Sequence, residues 1–299
     1  RRAKVRGPAR RDKNFVKMFA SLQLLVVAVA ACAAAAPATA AVRVMRVPYE
    51  APDGEALEGY LAYDARAAQR RAPLPVVVVV PDWDGVNAYE QERAVKFAAD
   101  FGVAAFAADI YGADKHAVAD DERGALAGRF RSPEGLARLQ AGVDRVRALP
   151  ELVDAARVVL VGYCFGGSLV LNYAVTGGDV LGVVSYHGGL RGRAAYDNGT
   201  AITAEVLVHS GGDDDALSAV HELEHDLTRA GTRFEVQRYS GVVHSFTDWD
   251  AVPGSAFARY SPRADGLSWS STRAFVERVF TRAAGAPRST RPTGADAEP

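Results

Sequence analysis

Cys164 lies in a glycine-rich segment whose residue types favour a reactive thiol. The β-branched run at residues 158–161 predicts a buried strand, and it leads directly into Gly162-Tyr163-Cys164-Phe165-Gly166-Gly167, ahead of an apolar helical pattern. A nucleophile on such a sharp strand-to-helix turn has strained backbone angles and close neighbours, which explains the glycines two residues to either side. The N-terminal N–H groups of the following helix favour a thiolate. The segment therefore predicts a cysteine nucleophile.

A cysteine nucleophile needs a base, and the base needs a group that orients it. His244 follows the last predicted strand, residues 234–239, and is our candidate for the base. Three adjacent carboxylates, Asp213, Asp214 and Asp215, follow the strand before it. The chain order nucleophile, acid and histidine, each placed just after a strand, is typical of a catalytic triad. The chemistry of the three aspartates alone does not choose among them.

A second pattern with chemical potential is His221-Glu222-Leu223-Glu224-His225, which satisfies the zinc-protease motif His-Glu-x-x-His. On a helix both imidazoles would share one face, with Glu222 as general base. An apolar stripe at helical spacing instead indicates an ordinary outer helix, and no suitable third ligand follows. We therefore expect no metal and keep a zinc-dependent hydrolase as the least favoured alternative. Three of the remaining histidines are interpreted as structural or surface residues: His116, His187 and His209.

The elements that must position these residues alternate between strand and helix. Strands are predicted at residues 42–49, 58–64, 76–80, 103–108, 158–161, 180–186, 206–210 and 234–239. Helices are predicted at 87–100, across 113–148 with a break at Arg131-Ser132-Pro133, and at 166–176, 216–230 and 268–282, while 65–73 is interpreted as a surface loop. This alternation predicts one doubly wound, mostly parallel α/β domain over residues 41–284, followed by a disordered tail at 285–299.

The first 40 residues are interpreted as a targeting segment. Residues 1–17 carry a charge of +7, and an uncharged, Ala-rich run leads to Ala38-Thr39-Ala40, a pattern typical of signal cleavage. We expect a secreted or periplasmic protein whose only membrane contact is this segment; lipid anchoring at Cys32 is a weaker alternative. The remaining chain has a charge of −8, which gives no reason to bind nucleic acid. Cys164 is then the single cysteine of the processed protein, so a disulfide within it is excluded.

Four further segments, together with the Cys164 turn, resemble the dienelactone hydrolase family. They are residues 80–87, 108–112, 185–189 and 243–247, and the resemblance spans about residues 42 to 280. It implies a single α/β-hydrolase domain, without cofactor or metal, that hydrolyses small esters or lactones. By the family's spacing from Gly211, the resemblance selects Asp214 as the acid of a Cys164–His244–Asp214 triad.

The resemblance also assigns several pocket residues. It implies that the N–H groups of Trp83 and Phe165 form the oxyanion hole, and that Asp82 occupies the position of a glutamate that contacts the resting thiol. Apart from the resemblance, Tyr111 and Phe246 lie near strand ends, where an aromatic side chain either lines a pocket or belongs to the core, and both interpretations stay open. Asp248 is a further substrate-binding candidate at the pocket mouth.

Asp248 marks a departure from the family pattern, because the family has there an arginine that holds the substrate's carboxylate. We therefore expect neutral substrates to react faster than carboxylated ones; the opposite preference would require another cation, such as Arg129 or Arg131. The sequence predicts a monomeric or weakly associating hydrolase that forms a covalent acyl-enzyme. A non-catalytic binding protein of the same fold is the alternative, disfavoured because all three triad positions are filled.

Overall fold

A computed structural model describes residues 41–71, 73–116, 118–191, 201–251 and 254–285 of the chain. The interpretations of residues 1–40 as a targeting segment, of Cys32 as a lipidation site and of the tail from residue 286 onward lie outside the described residues. Within the described part, no helix combines the length and the apolar character needed to cross a membrane.

Among the described residues, eight strands form a single sheet. In chain order they are β1 (Val42–Glu50), β2 (Ala56–Asp64), β3 (Leu74–Val80), β4 (Ala104–Ala107), β5 (Val153–Tyr163), β6 (Gly182–Tyr186), β7 (Glu205–Gly211) and β8 (Phe234–Tyr239). Their spatial order is β1-β2-β4-β3-β5-β6-β7-β8. The β1–β2 and β2–β4 pairs are antiparallel, and every pair from β4–β3 to β7–β8 is parallel. The predicted mostly parallel sheet is confirmed.

Seven helices of the described ranges connect or flank these strands. They are α1 (Ala65–Arg71), α2 (Ala88–Phe101), α3 (Asp120–Arg129), α4 (Pro133–Arg147), α5 (Phe165–Val175), α6 (Leu217–Arg229) and α7 (Pro262–Gly285). The predicted break between two helices is confirmed at Phe130–Ser132, where Pro133 takes the first helical position because its missing N–H costs nothing there.

The sheet separates two hydrophobic cores. Alternate residues of the β3 valine run belong to different cores, with Val76 and Val78 on one face and Val77 and Val79 on the other. All are fully buried, as expected for a parallel strand covered by helices on both faces. Helices α4, α5 and α6 pack on the first face, and α2 and α7 on the second. The chain is therefore doubly wound, as predicted.

The structure corrects one element and several boundaries. The segment interpreted as a surface loop, residues 65–73, forms α1 up to Arg71, because its alanines and arginines are good helix formers and Ala67 packs into the core. Strand β5 begins at Val153 instead of residue 158, and α7 begins at Pro262 instead of 268. None of these differences changes where the carboxyl ends of the parallel strands meet.

Candidate active site

Cys164 joins β5 to α5 in a strained turn. Its backbone angles are φ 48° and ψ −107°, and a positive φ is unfavourable for a residue with a side chain. The turn is so tight that a Cβ atom on Gly162 would overlap the backbone of Gly166, and a Cβ atom on Gly166 would overlap the carbonyl of Val80. The strand-to-helix turn expected from the sequence is present, with the Cys164 side chain half-buried.

His244 stands between a thiol and a carboxylate. Its Nε2 atom lies 3.0 Å from Cys164 Sγ, and its Nδ1 atom lies 2.8 Å from Asp214 Oδ2. Two backbone hydrogen bonds fix the loop that carries His244. His244 N donates to Phe257 O at 3.1 Å, and Arg259 N donates to His244 O at 3.0 Å. The three residues form one hydrogen-bonded series at the carboxyl edge of the sheet.

The three adjacent aspartates after β7 have different surroundings. Asp214 contacts His244, whereas Asp215 accepts hydrogen bonds from Leu190 N at 3.2 Å and from the Ser210 hydroxyl at 3.1 Å. Asp213 is exposed, and its N–H donates to a carbonyl of the β8–His244 loop at 3.0 Å. Asp214 is thus the member of the triplet that the turn directs toward the imidazole.

The surroundings of His244 favour its protonated form. Burial opposes an imidazolium, but the hydrogen bonds to Asp214 and Cys164 and their charges outweigh it and raise the pKa of His244 to about 10. At neutral pH the ring is therefore an imidazolium held between a carboxylate and a sulfur. A neighbouring imidazolium is one of the environments that make a cysteine thiolate, the nucleophilic form, accessible.

Asp82 lies almost fully buried in the loop after β3. Its carboxylate accepts a hydrogen bond from Asp84 N at 3.1 Å, and its own N–H donates to Glu90 Oε1 at 3.4 Å. Burial raises the pKa of both Asp82 and Glu90, so protons remain on this buried pair at neutral pH. The influence of Cys164 on Asp82 acts in the same direction. The hydrogen bond to the sulfur comes from His244, and the contact between Asp82 and the resting thiol that the resemblance implied stays a prediction.

The two N–H groups expected to form an oxyanion hole belong to adjoining segments. Phe165 is the first residue of α5, and N–H groups in a first helical turn have no partner within the helix. Trp83 lies in the loop after β3, with 39% of its surface exposed. Gly166 N donates to Pro81 O at 2.9 Å and so holds the start of α5 against that loop.

The aromatic pocket candidates prove to be buried. Tyr111 is 2% exposed, and its hydroxyl donates to Trp83 O at 3.0 Å. This hydrogen bond holds the Trp83 loop in place. Phe246 is fully buried and packs edge-on against His187, with ring centroids 5.1 Å apart. The positive φ of Ser245 precedes this inward turn of the chain. Of the two roles left open for Phe246, the structure therefore gives the core one.

Asp248 is half-buried in a turn beyond His244. Its carboxylate accepts a hydrogen bond from Asp250 N at 2.9 Å. Burial raises the pKa of Asp248, and the charges of Asp250 and Asp84 act in the same direction. One oxygen of this carboxylate is therefore bonded within its own turn.

Two arginines outside the proposed triad lie beside the Cys164 turn. A pocket of about 180 Å³ is lined by Arg131, Arg191 and the α5 face that begins with Phe165. The Arg131 guanidinium lies 5.4 Å from the centroid of the Phe165 ring. In the described part of the chain neither arginine makes an ion pair, whereas the nearby Arg129 pairs with Glu134 at 2.5 Å. The sequence had offered Arg131 as an alternative cation for a carboxylated substrate, whereas Arg191 was not among its candidates.

The zinc-protease pattern lies on the exposed face of α6. His221, Glu222 and His225 are all exposed. Of the apolar stripe that the sequence indicated, Val220, Leu223 and Leu227 are buried against the core, whereas Leu217 at the start of the helix is exposed. Among the described residues, the close group of three potential metal-ligating side chains consists of Asp82, Asp84 and Glu90, and it includes neither histidine. The pattern is therefore a surface feature of an amphipathic helix.

Comparison with known proteins decides the family. The sequence profile of the dienelactone hydrolase family matches residues 57–280, which include the Cys164 turn and the loops of Asp214 and His244. The chain belongs to this family. A carboxymethylenebutenolidase from Pseudomonas putida is 31% identical over 186 residues, covering 59% of this chain and 76% of the relative. A putative carboxymethylenebutenolidase from Escherichia coli strain K12 is 27% identical over 207 residues, covering 62% of this chain and 72% of the relative.

A solved structure leads to the same family. A dienelactone hydrolase-like promiscuous phosphotriesterase from metagenomic libraries superposes with a TM-score of 0.72 at 30% sequence identity, covering 80% of this chain and 98% of that chain. The dienelactone hydrolase family, its carboxymethylenebutenolidase members and this structural match confirm the predicted α/β-hydrolase fold. They also confirm the predicted class of activity, hydrolysis of a lactone or an ester.

Proposed function

We propose that this dienelactone hydrolase family member cleaves small esters or lactones through a covalent acyl-enzyme on Cys164. In this mechanism His244 transfers protons and Asp214 orients its imidazole. The observation that carries the proposal is the hydrogen-bonded series itself, 3.0 Å from Cys164 Sγ to His244 and 2.8 Å from His244 to Asp214. Those distances lie within the reach that a nucleophile and its base require.

Acylation begins from the pair of thiolate and imidazolium. Cys164 Sγ attacks the carbonyl carbon, and the carbonyl electrons move onto oxygen to give a tetrahedral intermediate. When the intermediate collapses, the C–O bond to the leaving alcohol breaks, and the leaving oxygen takes the proton from His244 Nε2. The carboxylate of Asp214 accepts from Nδ1–H and so holds the tautomer that keeps Nε2 directed at the sulfur.

Deacylation uses the now neutral imidazole as a base. His244 Nε2 removes a proton from water, and the resulting hydroxide attacks the thioester carbonyl. The C–S bond breaks, the acid is released, and the pair of thiolate and imidazolium is restored. The proposed oxyanion donors, the N–H groups of Trp83 and Phe165, would stabilise both tetrahedral intermediates, and losing one such donor typically costs about 10²–10³ in rate.

Arg131 and Arg191, which make no ion pair with any described residue, bear on the substrate's charge. The sequence alone favoured neutral substrates because Asp248 replaces the family's arginine. Arg131 lies against the Phe165 ring, Arg191 lines the same pocket, and the Asp248 carboxylate is engaged by Asp250 N. These contacts support a substrate whose carboxylate points toward Arg131, and they weigh against the expected preference for neutral substrates.

The test is turnover of a panel of p-nitrophenyl esters, simple lactones and thioesters, with mass spectrometry after rapid acid quenching. We expect hydrolysis of at least one small ester or lactone, and a mass increase equal to the acyl group on the peptide that contains Cys164. Hydrolysis without any acyl adduct on Cys164, together with full activity of Cys164→Ala, would overturn the mechanism. No hydrolysis of any substrate by folded protein would favour the non-catalytic binding protein.

A further inference from the structure

His187, which the sequence suggested was only structural, occupies an unusual position beside the triad. It follows β6 directly, its backbone has a φ of 38°, and it is 1% exposed. Because β5 and β6 are parallel with Tyr163 opposite Tyr186, the residues that follow them, Cys164 and His187, lie next to each other. A left-handed histidine is costly unless its surroundings require it.

The hydrogen bonds of His187 fix its tautomer. Cys164 N lies 3.2 Å from His187 Nδ1, and the Thr247 hydroxyl lies 2.8 Å from His187 Nε2. A backbone N–H can only donate, so Nδ1 must carry a lone pair. The proton is therefore on Nε2, which donates to Thr247 Oγ1. A doubly protonated ring would direct an N–H at the Cys164 N–H and break this contact.

The surroundings of His187 oppose a charge on its ring. Burial lowers the pKa of His187 well below its usual value, and the charged groups His244 and Arg93 act in the same direction, as does the neighbouring His209. The His187 and His244 rings meet edge to face with centroids 5.2 Å apart. His187 thus stays neutral beside an imidazolium, and it places no second positive charge against it.

We propose that His187 is a positioning residue for the nucleophile: as the neutral Nε2–H tautomer, held in place by its hydrogen bond to Thr247, it accepts the Cys164 N–H and holds the strained turn that directs Sγ at His244. This inference rests on the proposed role of Cys164. The same N–H also donates to Tyr186 O at 3.0 Å, so His187 supplies one of two anchors. Losing one neutral hydrogen bond of this kind corresponds to about tenfold in rate.

The first test compares two buried histidines. His187→Phe keeps an aromatic ring but removes the acceptor, and we expect kcat to fall about tenfold while KM changes by less than about twofold. His209→Phe is the matched control, because His209 is also fully buried but bonds to Thr272 at 3.0 Å and to Tyr239 at 2.9 Å. We expect it to lower the melting temperature without lowering kcat. Equal kcat losses in both variants would reduce His187 to a packing residue.

A second test does not depend on turnover or on His187→Phe folding. We expect Thr247→Val to slow iodoacetamide alkylation of Cys164, measured on the Cys164 peptide, by about tenfold, and Thr247→Ser to restore it to within about twofold. In ¹⁵N-histidine NMR spectra of the wild-type protein, His187 should show an unprotonated Nδ1 and a protonated Nε2 at pH 6. A doubly protonated His187, the other tautomer, or equal alkylation of the Val and Ser variants would overturn the inference. Failure of the proposed hydrolysis alone would leave these readouts intact.

Discussion

The imidazole of His244 touches the sulfur of Cys164 although 80 residues separate them in the chain. The contact exists because β5 and β8 end at the same edge of a parallel sheet, and each strand is followed at once by the loop that carries one of the two residues. The 3.0 Å separation between Nε2 and Sγ and the raised pKa of His244 together describe an imidazolium that can stabilise a thiolate and later protonate a leaving group.

Substitutions of Cys164 test whether its thiol is the nucleophile or only a packed side chain. We expect Cys164→Ala to lower kcat for a p-nitrophenyl ester by about 10⁴-fold, because binding and the oxyanion donors remain but no acyl-enzyme can form. Cys164→Ser should retain more activity than the alanine variant, since the hydroxyl can still be activated by His244. Cys32→Ser in the full chain is the control and should match the wild-type rate. Wild-type turnover by Cys164→Ala would be incompatible with the proposed mechanism.

The pH dependence should reflect the raised pKa of His244. Acylation needs its imidazolium to protonate the leaving oxygen, so kcat/KM should fall as pH rises through about 10, where His244 loses that proton. Asp214→Asn removes a charge that favours the imidazolium, so the descending limb should move to lower pH. This limb is measured from initial rates as a function of pH, after the rate of Cys164→Ala at each pH has been subtracted as background. A descending limb centred near the usual histidine value in wild type would contradict the proposed electrostatics.

Charge selectivity should depend on Arg131. We expect Arg131→Gln to lower kcat/KM about tenfold for an ester with a carboxylate and to leave a neutral ester of equal size unchanged, because a partly screened pair of charges near a protein surface contributes about 1.4 kcal/mol. Arg129→Gln is the matched control, since Arg129 is already paired with Glu134. Equal loss for both esters would assign Arg131 a structural role.

Metal removal should not affect the rate. The proposed chemistry uses a thiolate, an imidazole and backbone N–H groups, so incubation with EDTA followed by desalting should leave kcat unchanged. His221→Ala and His225→Ala should also match wild type, because both side chains are exposed on α6. Activity that disappears on chelation and returns with zinc would instead support the zinc-protease pattern.

Local sequence patterns were sufficient for the fold class and for the positions of the chemical groups. The valine run of β3 indicated a strand covered on both faces, and the glycines around Cys164 indicated a turn without room for side chains, because both properties depend on neighbours in the chain. The order of the strands along the chain then predicted that the loops after two later strands carry Asp214 and His244. The strand residues missed at 153–157 lie at the start of β5, where patterns are weakest. The helix missed at 65–71 is a short separate element that buries Ala67, so its sequence shows no apolar periodicity.

Contacts between distant residues were decided by the tertiary structure. Asp213, Asp214 and Asp215 carry the same side chain, and they differ in the direction in which the turn points each carboxylate. Composition does not encode that direction. The sequence left Phe246 open as a pocket or a core residue, and in the structure its ring packs into the core directly after Ser245, whose φ is positive. His187 meets Cys164 only because β6 pairs with β5 in the observed register. Sequence thus determined which groups reach the carboxyl edge of the sheet, and the order and register of the strands determined which of them touch.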